Sequence, residues 1–193
     1  MHVDTDSPIP MNSWTTIEIS QLLQPDINRY KYSIKVGGSV NFDVFNNDAR
    51  EFTNVTAYIA SDLFSHPPAV ARIDNLNVTT FPDEDFSVTE DYEPQVVEPV
   101  SEGDTERGSI MPDTQQIVKT FPKLYKQWIV SFDFKPTGKA SDSRYANVFH
   151  MTTDDSTYGT YGYMTPTVFW EQTDNTMQIY RDCFRLELLY CIR

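Results

Sequence analysis

Apolar and polar positions alternate with period two through most of this chain. The stretch Trp14-Thr15-Thr16-Ile17-Glu18-Ile19 does so, and residues 30–36 and 40–45 do so more clearly. Gly37-Gly38 separates the last two runs, and alternation on both sides of a Gly-Gly pair predicts a β-hairpin. Asn46-Asn47-Asp48 marks the next turn, residues 55–59 predict another strand, Pro67-Pro68 interrupts, and residues 78–81 end this region in a further strand. Alternation returns at residues 128–134, where Pro136-Thr137-Gly138 stops it. Residues 145–151, 167–170 and 177–180 follow as strands, with a turn-rich loop over 158–162 and a turn at Asp174-Asn175. Trp128 and Trp170 lie inside strands and read as core side chains. The helix candidates, residues 20–23 and 114–119, are both short. Regular strands with so little helix predict a mostly-β protein built as an antiparallel β-sandwich.

Charge divides the chain. The formal net charge is −13 over 193 residues, with 15 Lys and Arg against 28 Asp and Glu. Ten of the acids fall between Asp83 and Glu106, and no Lys or Arg lies between Arg72 and Arg107. Removing those ten takes the charge from −13 to −3. Such a stretch, which also carries Pro94 and Pro99, cannot bury enough apolar area to offset chain entropy. It reads as an acidic flexible linker over 83–111, between an N-terminal β-rich region (1–82) and a C-terminal sandwich region (112–193). A calcium-binding loop is the other reading, but Asp83-Glu84-Asp85-Phe86 lacks the interspersed Gly and Asn of such loops. The overall acidity argues against a nucleic-acid partner. No run of 18 apolar residues provides a membrane span, and no apolar segment after Met1 reads as a signal peptide.

The run from Phe121 through Trp128-Ile129-Val130-Ser131-Phe132-Asp133-Phe134-Lys135-Pro136 resembles the opening of a concanavalin A-like domain, the laminin G-type jelly roll. Asn147-Val148-Phe149-His150-Met151 matches its second strand, Pro166-Thr167-Val168-Phe169-Trp170 the strand after a glycine-bearing loop, and Asn175-Thr176-Met177-Gln178-Ile179-Tyr180 a short strand after an Asn turn. The resemblance covers about residues 121–180. Tyr163-Met164 stands where related domains often carry an Asp-Arg pair, and the chain has only seven glycines. A full jelly roll of this type needs more strands than follow Tyr180. The chain is therefore read as a partial domain of a larger extracellular protein, or as one whose N-terminal strands complete the sandwich. Phe42-Asp43-Val44-Phe45-Asn46-Asn47-Asp48-Ala49 also resembles the strand and turn of farnesoic acid O-methyltransferase-like domains.

The resemblance implies non-catalytic recognition of carbohydrate or of an extracellular protein, in adhesion or matrix. Rim loops of such domains bind ligand, often with calcium. Here Asp154 and Asp155 offer oxygen ligands for calcium, beside Tyr158, Tyr161 and Tyr163, whose rings can stack on sugars or anchor a protein. The competing reading is that the acids form a turn and the tyrosines cover a sheet edge. A glycoside hydrolase of the same superfamily would need carboxylates across a cleft, and the nearest set, Glu84-Asp85 with Glu90-Asp91-Tyr92-Glu93, falls in the acidic segment. No nucleophile elbow, phosphate loop or metal-spaced histidine pair occurs among His2, His66 and His150. The expectation is therefore not an enzyme. A structural fragment with no ligand of its own is the third reading. Asn54-Val55-Thr56 and Asn77-Val78-Thr79 are glycosylation acceptors, and Cys183 and Cys191 either close one small loop by a disulfide or remain two core thiols.

Overall fold

In a computed structural model of the chain, the residues described are 2–5, 8–60, 66–83, 110–112, 116–140, 143–153 and 162–181. They form strands β1 (His2–Asp4), β2 (Thr15–Gln24), β3 (Arg29–Val36), β4 (Ser39–Asn46), β5 (Phe52–Ile59), β6 (Ala71–Phe81), β7 (Gln116–Leu124), β8 (Gln127–Pro136), β9 (Tyr145–Thr153), β10 (Thr167–Glu171) and β11 (Thr176–Tyr180). Their helical content is a single 3-10 turn at Pro25–Ile27. The strands make two antiparallel sheets, a six-stranded one in the order β1-β11-β10-β9-β5-β7 and a five-stranded one in the order β4-β3-β2-β8-β6.

Alternation explains the layering, because successive side chains of a strand point to opposite faces. Ile17, Ile19, Ile34, Val130, Phe132 and Phe134 of the five-stranded sheet share one buried cluster with Val55, Ala57, Phe149, Met151, Val168 and Trp170 of the other. Rings bridge the layers: Phe132 meets Phe149 at 6.1 Å between centroids, and the edge of Phe134 meets Trp170 at 5.9 Å. This is the arrangement of a β-sandwich. Both predicted core tryptophans are buried, Trp170 completely. Burying each such large side chain contributes about 1.5–3 kcal/mol.

The predicted hairpin is present. β3 and β4 pair from Tyr30↔Asn46 to Val36↔Ser39, and Gly37 and Gly38 take φ of 58° and 82°. Two positive φ values at a two-residue loop match the twist of the flanking strands, and glycine reaches them without a Cβ penalty.

Where the structure describes them, the short helix candidates are strands instead. Residues 20–23 belong to β2, which is hydrogen-bonded to β3 on one side and β8 on the other. Ser20 and Gln21 are buried there, and Gln21 donates from Nε2 to the Lys126 carbonyl at 2.6 Å. Two-sided pairing overrides a helix propensity worth only tenths of a kcal/mol per residue. Residues 116–119 likewise open β7, paired with β5.

Strands from before and after the acidic segment alternate within both sheets. β8 lies between β2 and β6, and β5 lies between β9 and β7. β1 pairs with β11, so His2 stands opposite Tyr180. Residues 84–109, most of the acidic segment, lie outside the described residues. Where β7 turns into β8, buried Gln127 accepts from the Leu23 amide at 3.0 Å, and Thr80 Oγ1 donates to the Gln127 carbonyl at 3.1 Å. That polar clasp ties the β7–β8 corner to both β2 and β6.

This interleaving predicts fragment complementation. Residues 1–90 and 100–193, produced separately, are each expected to lack a cooperative thermal transition. Co-produced, they are expected to co-purify as one species with a sheet-like circular dichroism spectrum.

Candidate functional site

With the inward positions of the six-stranded sheet assigned to the core, the alternate positions form its outer face. On β9 these are Tyr145, Asn147 and His150; on β10 Thr167, Phe169 and Glu171; on β11 Gln178 and Tyr180; on β5 Thr56 and Tyr58. A register shift opposite Val168 and Phe169 places Val148 as an extra residue, so Ala146 and Phe149 both face inward although three positions apart.

The outer face carries two aromatic groups. In the first, the His66 ring lies 5.7 Å from Tyr145 and 5.4 Å, edge-on, from Phe169, while Phe169 meets Tyr180 edge-on at 5.5 Å. Gln178 lies between the tyrosine hydroxyls: Tyr180 donates to its Oε1 at 3.1 Å, and its Nε2 donates to the Tyr145 oxygen at 3.4 Å. His66 is held over this group by its own segment, which runs beside β9 where β5 has ended. The Asn147 amide donates to the Pro67 carbonyl at 2.8 Å, Ala69 donates to the Asn147 carbonyl at 2.9 Å, and Asn147 Nδ2 reaches the His66 carbonyl at 3.3 Å.

In the second group, Tyr58 stacks on His150 at 6.2 Å and Tyr163 meets the same ring edge-on at 6.1 Å. His150 Nε2 donates to the Tyr163 carbonyl at 2.6 Å. A carbonyl only accepts, so this bond places the proton on Nε2. The segment bearing Tyr163 is fixed by backbone bonds from Thr153 to the Gly162 carbonyl, 2.9 Å, and from Met151 to the Pro166 carbonyl, 2.9 Å.

Electrostatics at this face favour a neutral His66 and one anchored acid. Burial pushes the His66 imidazole below its ordinary value. Burial pushes Glu171 up, but the hydrogen bond and charge of Arg144, whose Nε sits 3.0 Å from Oε1, hold the carboxyl below the usual range. Glu171 is thus an anion committed to an ion pair.

Of the residues singled out by sequence, Tyr163 is at this face, half-buried against His150. Asp154, Asp155, Tyr158 and Tyr161 lie outside the described residues, as do Cys183 and Cys191. Among the described residues no group of three His, Cys, Asp or Glu side chains stands close enough to hold a metal. No described helix is long and apolar enough to cross a membrane. Asn54 is exposed on β5 with a left-handed φ of 53°, beside Pro122 of β7. Asn77 is half-buried on β6, its Oδ1 accepting from Thr79 Oγ1 at 3.2 Å. Both acceptor triplets therefore sit on strands, and Asn54 presents the more open side chain.

Sequence reasoning missed Tyr145, Phe169, Gln178, Tyr180, His66, Tyr58 and His150. Comparison with protein-family models, with curated proteins and with solved structures returned no match for this chain.

Two substitutions test this geometry. Gly162 has φ +86°, and a Cβ there would lie 2.7 Å from Thr153 Oγ1 and 3.3 Å from Phe52. Gly162→Ala is expected to lower stability by about 1–3 kcal/mol, read as a reduced urea midpoint. For His66, the folded state binds its proton less readily than the unfolded state. The contribution is whole above the ordinary histidine value and is lost as pH falls through it toward the depressed folded value. His66→Gln is expected to flatten the dependence of melting temperature on pH below about 6.5.

Proposed function

We propose that this chain is a non-catalytic extracellular recognition module with a concanavalin A-like jelly roll, and that it binds carbohydrate on the outer face of its six-stranded sheet. The observation that carries the reading is that face itself. Tyr145, Tyr180, Tyr163 and Tyr58 are half-buried on the side of the sheet away from the cluster between the layers. They surround Phe169, His150 and Gln178, which are themselves buried, and the Gln178 amide links two of the tyrosine hydroxyls. Sugar rings offer apolar C–H faces flanked by hydroxyls. They are met by aromatic planes that supply area at low entropic cost, and by amides and hydroxyls that both donate and accept.

The jelly-roll reading is supported by the pairing of six- and five-stranded antiparallel sheets and by the consecutive neighbours β9-β10-β11 within the larger sheet. These strands fall in the part of the sequence that resembles the family. The non-catalytic reading is supported by the state of Glu171, a carboxylate on this face that is already bound to Arg144. The calcium reading for Asp154 and Asp155 rests on the sequence: they precede Tyr163 in the same connection between β9 and β10.

A glycan array, probed with the purified chain in calcium and again in chelator, tests the proposal. Binding to a defined set of oligosaccharides is expected, weakened by at least about tenfold in Tyr180→Ala and Tyr163→Ala. Loss of binding in chelator that is reproduced by Asp154→Asn with Asp155→Asn assigns the cation to those acids. Absence of glycan binding, or binding indifferent to both tyrosine changes, overturns the reading.

A further inference from the structure

The four sheet edges are unequal. β1 is three residues long. β7 carries Lys119, Pro122 and Lys123, residue types that discourage further pairing. β6 is irregular between Asp74 and Asn77, and Ile110 already occupies part of its rim, exchanging backbone bonds with Ile73 at 2.9 and 2.7 Å. β4 differs from all three. It runs for eight residues with the sequence SVNFDVFN, without Lys or Pro and with one charge, Asp43. Among the described residues it has a strand neighbour, β3, on one side only. Its outward side chains include two of the exposed large hydrophobics, Val40 at 59% and Phe45 at 36%. An edge of this length and polarity is a template for another strand.

We propose that β4 pairs antiparallel with β4 of a second copy of this chain, joining two five-stranded sheets into one. The occupant follows from self-complementarity. The pairing of β3 with β4 shifts between Ile34 and Lys35, which leaves residues 42–46 as the regular part of the edge. A two-fold axis through an edge pairs residues that share a face, so it must pass through a residue. An axis through Asp43 sets two carboxylates directly opposite each other, which is unfavourable. An axis through Val44 sets Val44 against the partner's Val44, Phe42 against the partner's Asn46, and Asp43 against the partner's Phe45.

The last pair is decisive. Arg29 of β3 lies over the Phe45 ring, its guanidinium carbon 4.3 Å from the centroid. Directly opposed side chains approach to about 5 Å, so the Arg29 that covers one copy's Phe45 comes to the Asp43 of the other. Asp43 is already ion-paired with Lys31 of its own β3, and Arg29 donates to Asn47 Oδ1 at 2.9 Å. The register therefore adds a second cation to each Lys31–Asp43 pair rather than satisfying a lone acid, and it covers both Phe45 rings. The edge alone is smaller than the roughly 1,200 Å² of a stable interface, so the association depends on concentration.

Sedimentation equilibrium of the full chain over a concentration series, at physiological salt, tests the proposal. A monomer–dimer equilibrium is expected. Phe45→Lys is expected to raise the dimer dissociation constant by about tenfold or more, and Arg29→Asp and Asp43→Arg each to weaken it. The double variant Arg29→Asp with Asp43→Arg restores the opposite charges across the axis and is expected to recover dimerisation, which a merely misfolded variant would not do. Ile117→Lys on β7 is expected to leave the equilibrium unchanged. A chain monomeric at every concentration, a dimer insensitive to Phe45→Lys, or a double variant no better than its parents overturns the proposal.

Discussion

Everything in this fold hangs on β8. One edge of the strand bonds to β2, which precedes the acidic segment, and its other edge bonds to β6, which ends just before that segment. Its inward Val130, Phe132 and Phe134 meet β9 and β10 across the core. Neither part of the chain can satisfy its backbone groups or cover its apolar face without the other, because a strand left unpaired in an interior forfeits both kinds of contact. The two β-rich parts of the sequence are thus joined through hydrogen bonds and packing at a single strand, with the polar clasp at Gln127 fixing where that strand begins.

The strands were legible because alternation is a local signal. Residues 128–134 declare themselves as a half-buried strand, and Gly37-Gly38 declares a tight turn, without reference to anything distant. The order of strands in the sheets was not legible, since it depends on which edges meet. Residues 20–23 show the limit. Ser20-Gln21-Leu22-Leu23 has no strict alternation, and pairing with β3 throughout and with β8 at Ser20 and Gln21 makes it a strand.

The outer aromatic face was hidden for a related reason. Its members were visible as every second residue of the later strands, Phe169 between Val168 and Trp170 for instance. Deciding which alternate set faces the other sheet requires the register, and the extra residue at Val148 breaks the parity that would have allowed it to be read off β9. His66 reaches the face from a segment distant in sequence, placed there by backbone bonds from Asn147 that no pattern encodes. Tyr163 was picked out for its place in a tyrosine-rich loop, and the structure sets it against His150, a partner the loop itself does not name.

The pairing of β1 with β11 has a mechanical side. His2 lies opposite Tyr180, so the polypeptide enters and leaves this strand pair at the same end. Tension transmitted along the chain through these two strands would peel them apart like a zip, loading one ladder bond after another. Strands pulled from opposite ends share the load across all their bonds at once. The sandwich is therefore built to yield first at its β1 margin, at low force, with its interior rings still packed.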